Sequence, residues 1–202
     1  MRLPTSTSAP APYVSPRVER SRQRALAAGR EILLHEGWDA LSQRRVAEVA
    51  GIGRATVYRH WPDRITLLQD ICTAEANRVH TIPTGDLRRD LCHELETLRR
   101  EFVDGGFDKV VVALTDRCFW EPELLPVKQV AVEHGTATVR QILSDALARG
   151  ELAADLDLDE AIGFLAGPLL YRHLFAGRPV SDDAIGRSVE QFLTLRRTAD
   201  DG

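Results

Sequence analysis

Apolar residues along this chain return at a spacing near 3.6, the mark of helices that bury one face. The first such stretch covers 17–35 and sets Leu26, Gly29, Ile32 and Leu33 on one side. It closes at "EGWDA", with Gly37 just beyond the last turn, where helices favour glycine. A short second helix is predicted over 43–50. Ser42 is its N-cap, accepting an amide hydrogen bond, and Val46, Ala47 and Ala50 face inward. Gly51-Ile52-Gly53 reads as a tight turn, and a third helix follows over 54–61. Pro62-Asp63 stops it and starts a fourth over 64–79. The loop "TIPTGD" precedes a fifth helix over 87–103, and "DGGF" breaks the chain again before a sixth over 109–119. "WEPELLP" leads into a long seventh that ends at Arg149-Gly150. After the acidic "ELAADLDLD", Asp157 or Asp159 caps an eighth helix running to Phe175, and Ser181 caps a ninth over 182–196. "KVVVAL", at 109–114, has the β-branched content of a strand but lies between helical patterns. The expectation is an all-α fold of about nine helices.

Length and composition narrow this little. With 202 residues and 44% apolar content, the chain can form one domain, or a small domain joined to a larger one. No run of about 18 apolar residues occurs, so no membrane span is expected. "MRLPTSTSAPAPYVSPR" lacks the apolar block of a signal peptide, and residues 1–16 are expected to be a disordered arm. Cys72, Cys92 and Cys118 form no CxxC pair, which suits buried thiols in a reducing cytoplasm better than a disulfide framework.

Charge changes the picture more. Residues 1–64 carry eleven arginines against six acids, net +5, while residues 65–202 are net −9. A basic head on an acidic body implies that only the head meets a polyanion, although +5 over that length is also an ordinary solvated surface. The head divides at about 64 from a body of 65–202, with 17–64 forming a helix-turn-helix. Val57 and Trp61, four apart, would seat the third helix on the first two. Arg54, Ala55, Thr56, Tyr58, Arg59 and His60 would remain outside. Such a face suits a major groove. Arginine pairs bidentately with guanine and the threonine methyl meets thymine, while Tyr58, His60 and the nearby Arg64 serve phosphates. The bland alternative is that helices often meet at a glycine turn for structural reasons alone.

"GWDALSQRRVAEVAGIGRATVYRHWPDRITLL", residues 37–68, resembles the DNA-binding domain of the TetR family of bacterial transcriptional regulators. The glycine turn, Thr-x-Tyr-x-His, an aromatic, proline and a basic residue fall in register together, and the helical remainder agrees in layout. The resemblance implies phosphate contacts from Ser42, Tyr58, His60 and Arg64. It implies groove contacts from Arg44, Arg54, Ala55, Thr56 and Arg59. The sequence departs from the family at Gly53, where a serine or threonine usually caps the third helix. It departs also at Leu41, Gln43 and Arg45, which stand for threonine, an aliphatic and an acidic residue. Gln43 and Arg45 make the second helix more polar, so Gln43 joins the expected contacts.

The resemblance further implies a ligand-binding and dimerisation body. "DEAIGFLAGPLLYRHLFAG" is apolar around much of its circumference, as a helix buried on two sides should be. Gly163 and Gly167 allow close approach, and Pro168 should kink the helix. Phe164, Gly167 and Pro168, with Ile185, Val189, Phe192 and Leu193 of the ninth helix, are the expected dimer contacts; the alternative is that both stripes are core of one subunit. Phe102, Phe107, Phe119, Trp120, Phe164 and Tyr171 are candidates to line a pocket for an unidentified, largely apolar effector. His80, His93, His134 and His173 are scattered without an i, i+4 pair, so no metal, cofactor or catalytic residue is expected. No nucleophile elbow, P-loop, dinucleotide fingerprint or HExxH occurs, which weighs against an enzyme. The basic face of the third helix weighs against a protein-interaction module. The expected function is a cytoplasmic, homodimeric repressor released from a palindromic double-stranded DNA operator by a small molecule. An activator, or a regulator that needs no ligand, is the alternative on the same fold.

Overall fold

A computed structural model of the chain describes residues 15–76 and 80–196. The expected arm lies outside these residues except for its last two positions, as do the final residues of the expected fourth helix. The described residues form nine α-helices and no strand: α1 (Pro16–His35), α2 (Gln43–Ala50), α3 (Arg54–His60), α4 (Arg64–Ala76), α5 (Leu87–Arg99), α6 (Phe107–Arg117), α7 (Leu125–Ala148), α8 (Leu158–Leu170) and α9 (Asp182–Arg196).

Local signals set most of the boundaries. Ser42 Oγ accepts from Arg45 N at 3.2 Å, Asp63 Oδ1 from Thr66 N at 2.8 Å, and Ser181 Oγ from Ala184 N at 3.2 Å. Of the two aspartates offered as the cap of α8, Asp157 takes the role, accepting from the amides of Asp159 and Glu160 at 2.8 and 3.0 Å. Asp86 caps α5 in the same way. α3 stops one residue earlier than expected. Trp61 turns extended at φ −133°, as a residue before proline tends to.

Other details depart from the sequence pattern. Trp38–Ala40 forms a 3₁₀ turn rather than open loop. α5 and α8 both end in a widened π turn, Arg100–Asp104 and Tyr171–Phe175. In α8 the turn follows Pro168, which has no N–H to give to the preceding turn. "KVVVAL" is helical because Val110 and Leu114, one turn apart, are both buried in the core, and that packing overrides β-propensity.

Two apolar cores organise the molecule. The first joins Ala25, Ile32, Val46, Val57 and Trp61 of the head to Leu67 and Ile71 of α4, then to Leu114 and Val127 of the body. The second gathers Leu91 and Leu95 of α5, Leu143 of α7, Leu165 of α8 and Val189 and Phe192 of α9. α7 spans both cores. The division expected at residue 64 lies inside the first core, so α4 belongs to the head by packing and to the body by connection. Displacing α4 would therefore disturb both.

Candidate nucleic-acid interface

The turn between α2 and α3 is built on Gly51. Its φ of 61° is left-handed, which glycine adopts without steric cost. Gly51 N donates to Glu48 O at 3.3 Å and Ile52 N to Ala47 O at 3.1 Å, the paired closure of a helix end. Arg24 of α1 donates to Ala50 O, so the turn is also pinned to the first helix. Gly53 starts α3 at an ordinary φ of −63°, with no side chain to cap the helix.

Packing then decides which face of α3 looks out. Val57 is fully buried and Trp61 is 1% exposed. The Trp61 indole N–H donates to Asp70 Oδ2 at 2.9 Å, and Asp70 also receives Arg22 at 2.8 Å, which ties α3, α4 and α1 together. Arg54, Ala55, Tyr58 and Arg59 are left exposed, and Thr56 and His60 half-buried. Arg44 of α2 is exposed beside them, and neither Arg44 nor Arg59 has a hydrogen bond or ion pair among the described residues. Arg54 meets Glu48 at 3.3 Å, a surface pair that water screens heavily. Arg45 is held by Glu36 at 2.8 and 2.9 Å, which keeps the Glu36 carboxyl below its ordinary range and raises the arginine.

Two expected contacts are corrected. Gln43 is buried at 8% exposure, and its amide donates to Trp61 O at 3.4 Å, so it braces α2 against α3 instead of facing DNA. Arg64 lies over the Trp38 ring, 5.0 Å from its centroid, and donates to Trp38 O. Burial pulls it below the ordinary arginine value, opposed by the nearby Glu121 and Asp39. A guanidinium held this way is a strut between α4 and the Trp38 turn, not a free phosphate ligand.

The structure adds residues that the sequence reading left out. Arg17, Arg20, Ser21 and Arg24 of α1 form a groove with Gly51, Thr56 and Arg59, and none of the described residues that line it is acidic. The signal was present in the sequence: arginines at 17, 20 and 24 recur at helical spacing on one face of α1. The basic surface therefore extends from α3 across the turn onto α1.

A second feature lies in the body. A cavity of about 260 Å³ opens between α5, α6, α7 and α8, reaching Glu75 at the end of α4. Phe102 and Phe107 line it. Phe119, Trp120, Phe164 and Tyr171 do not. Phe119 and Trp120 stand on the turn after α6, 79% and 78% exposed, because α6 starts and ends two residues earlier than its apolar pattern suggested. Tyr171 stacks on Phe175 at 6.0 Å, and Phe164 tilts against Phe192 at 6.1 Å.

The expected dimer stripe also divides. Ile185, Val189, Phe192 and Leu193 are buried inside their own subunit, between 0% and 2% exposed, packed with α5 and α8. They form the core of one chain, the alternative reading of that stripe. Phe164, Gly167 and Pro168 lie on the outer side of α8 with Tyr171, and Leu195 on the outer side of α9 is 68% exposed. This leaves an apolar face on the surface of the single chain.

Comparison with known proteins agrees with this layout. Residues 25–71 match the family model for bacterial regulatory proteins of the tetR family, and residues 81–192 match a tetracyclin repressor-like C-terminal domain. The chain is 31% identical to an uncharacterised HTH-type transcriptional regulator of Mycobacterium tuberculosis, over 88% of both chains. It is 28% identical to a DNA-binding transcriptional repressor of Mycobacteroides abscessus, over 84% of this chain and 90% of that one. Among solved structures, a TetR family transcription regulator superposes with a TM-score of 0.71 at 26% identity, covering 87% of this chain and 97% of the other.

Proposed function

Because this chain belongs to the TetR family, and is therefore a DNA-binding transcriptional regulator, we propose that it works as a homodimeric repressor released from a palindromic operator by a small molecule. The observation that carries the reading is the outward face of α3. Arg54, Ala55, Tyr58 and Arg59 are exposed together, while Val57 and Trp61 lock the opposite face into the core. A short helix presented this way enters a major groove, with the α1 arginines beside it to meet phosphates. Residues 17–64 supply the head, and residues 65–202 hold the effector and the partner subunit. The protein acts in the cytoplasm and performs no catalysis.

The apolar face formed by Phe164, Gly167, Pro168, Tyr171 and Leu195 supports pairing through α8 and α9. Two-fold pairing would set two α3 helices about 34–36 Å apart, or somewhat more, for successive grooves on one side of the duplex. The cavity supports release. Its wall includes Glu75 of α4, whose carboxylate meets Arg30 of α1 at 2.5 Å, and α4 shares the head core. A ligand that displaces α4 must move the head with it. Ligand and operator are then negatively coupled, by about 1–3 kcal/mol in either direction.

The test begins by selecting duplexes from a random pool. The selected duplex and a scrambled one of the same length are then titrated by fluorescence anisotropy at rising salt. Tighter binding to the selected duplex, with affinity falling steeply in both as salt rises, is expected. Equal affinity for the two duplexes would refute sequence reading by α3.

A further inference from the structure

The cavity wall is apolar apart from a few side chains, and these divide by whether they already have partners. Its deeper carboxylates are taken. Glu75, 7% exposed, is paired with Arg30 at 2.5 Å. Asp108, beside the cavity, receives His173 of the wall at 2.7 Å. Glu101 belongs to the exposed rim. The donors are not met to the same degree. Lys128 lines the cavity half-buried, with no hydrogen bond or ion pair among the described residues. Arg99 reaches Asp104 and Asp182 only at 3.8 and 3.4 Å, and both acids are about two-thirds exposed. Its Nε is buried with no acceptor among the described residues.

A buried donor without an acceptor carries the cost of its lost hydration, and a ligand oxygen that meets it recovers that cost. Arg99 Nε is that donor, and Lys128, half-buried in the same wall, adds a full positive charge with no partner among the described residues. Lysine is scarce here, two residues among 26 basic ones. Its ammonium is a compact charge on a flexible stem, with three donors that can turn to meet a carboxylate.

From this imbalance we propose that the cavity takes a small apolar acid, its carboxylate paired with Lys128 and assisted by Arg99, its hydrocarbon body against Phe102 and Phe107. The proposal rests on the reading of this cavity as the effector site. A volume of about 260 Å³ limits the ligand to a compact molecule, since drug-sized pockets usually span about 300–1,000 Å³. A lipophilic amine is the opposite reading. In the deeper part of the cavity it would have to displace Arg30 from Glu75, exchanging one buried pair for another, and the remaining wall carboxylate, Glu101, lies at the exposed rim.

The experiment titrates phenylbutyrate, phenylbutanol and phenylbutylamine into the full chain by calorimetry. The three share one apolar body and differ only in headgroup. Phenylbutyrate should bind at least about tenfold more tightly than the alcohol, as expected of a charge-assisted hydrogen bond. Lys128→Met should remove most of the acid's advantage, leaving only what Arg99 supplies, while the alcohol is unchanged, which also reports an intact cavity. Lys128→Arg should keep a preference for the acid. The proposal is overturned if the alcohol matches the acid, if the amine binds best, or if the preference for the acid survives undiminished in Lys128→Met. If none of the three binds, the effector-site reading falls along with this one, an outcome distinct from a wrong headgroup.

Discussion

Gly29→Ala is the sharpest test of how the head is joined to the body. Gly29 sits within α1, where alanine should be the better residue by about 0.8–1.0 kcal/mol of helix propensity. Helix propensity therefore predicts stabilisation. The structure reverses the sign. A Cβ at position 29 would stand 2.3 Å from Cδ1 and 3.0 Å from Cγ1 of Ile71, on α4. Ile71 is 1% exposed, so it has little room to turn away. Overpacking of this kind costs about 1–3 kcal/mol, which exceeds the propensity gain and leaves a net loss of about 1 kcal/mol. Ile71→Val removes the Cδ1 atom responsible for the worst contact, at its own cost of about 0.5–1.5 kcal/mol. In that background the Cγ1 contact at 3.0 Å remains but the worst contact is gone, so Gly29→Ala should cost less than it does in the wild-type chain. The two substitutions should thus be coupled by about 1–3 kcal/mol. Urea denaturation followed by circular dichroism, at fixed protein concentration because a dimer's stability depends on it, measures all four proteins. If Gly29→Ala raises stability in both backgrounds, α1 and α4 do not approach as closely as described, and rigid transmission from α4 to the head loses its basis.

Three further outcomes are expected from other parts of the molecule. Arg59→Ala should weaken binding to the selected operator by about 1–3 kcal/mol and relax base preference, whereas Arg64→Ala should lower thermal stability and leave the salt slope of DNA binding unchanged; anisotropy and melting curves separate the two. Tyr171→Glu, on the outer face of α8, should give folded monomers by sedimentation, while Phe192→Glu should unfold the chain by burying a charge in its own core; a Tyr171→Glu protein that stays dimeric would place the interface elsewhere. Asp90 accepts from Thr84 N, Thr84 Oγ1 and Gly85 N at 2.7–2.8 Å; burial works to raise its carboxyl, but these bonds outweigh burial and hold it below the ordinary range. Its stabilisation is therefore present above the unfolded-state value near 3.9 and lost as pH falls through the lower folded value, so Asp90→Asn should lower the urea midpoint at neutral pH, and the gap from wild type should close in acid.

Much of this protein is legible one turn at a time. A 3.6-residue apolar period, a serine or aspartate before it and a glycine or proline after it are local facts, and they locate the helices to within a few residues. The recognition face is legible for the same reason. Once Val57 and Trp61 are known to point inward, the spacing of the helix sends Arg54, Tyr58 and Arg59 outward.

Periodicity marks a face that is covered without saying what covers it. The stripe of Ile185, Val189 and Phe192 has the same pattern whether it meets α5 of its own chain or a second subunit, and only the packed structure assigns it to the first. Arg64 looks like a free phosphate ligand until Trp38, 26 positions earlier in the chain, comes to lie beneath it. Gln43 looks like surface until Trp61 O is brought to its amide. Two aromatics expected in the cavity, Phe119 and Trp120, fall outside it because α6 ends at Arg117 and both stand on the exposed turn that follows. Local sequence thus determined which helices form and which way each apolar face points. The tertiary structure alone decided which surface meets it, because that contact is made by residues far away in the chain.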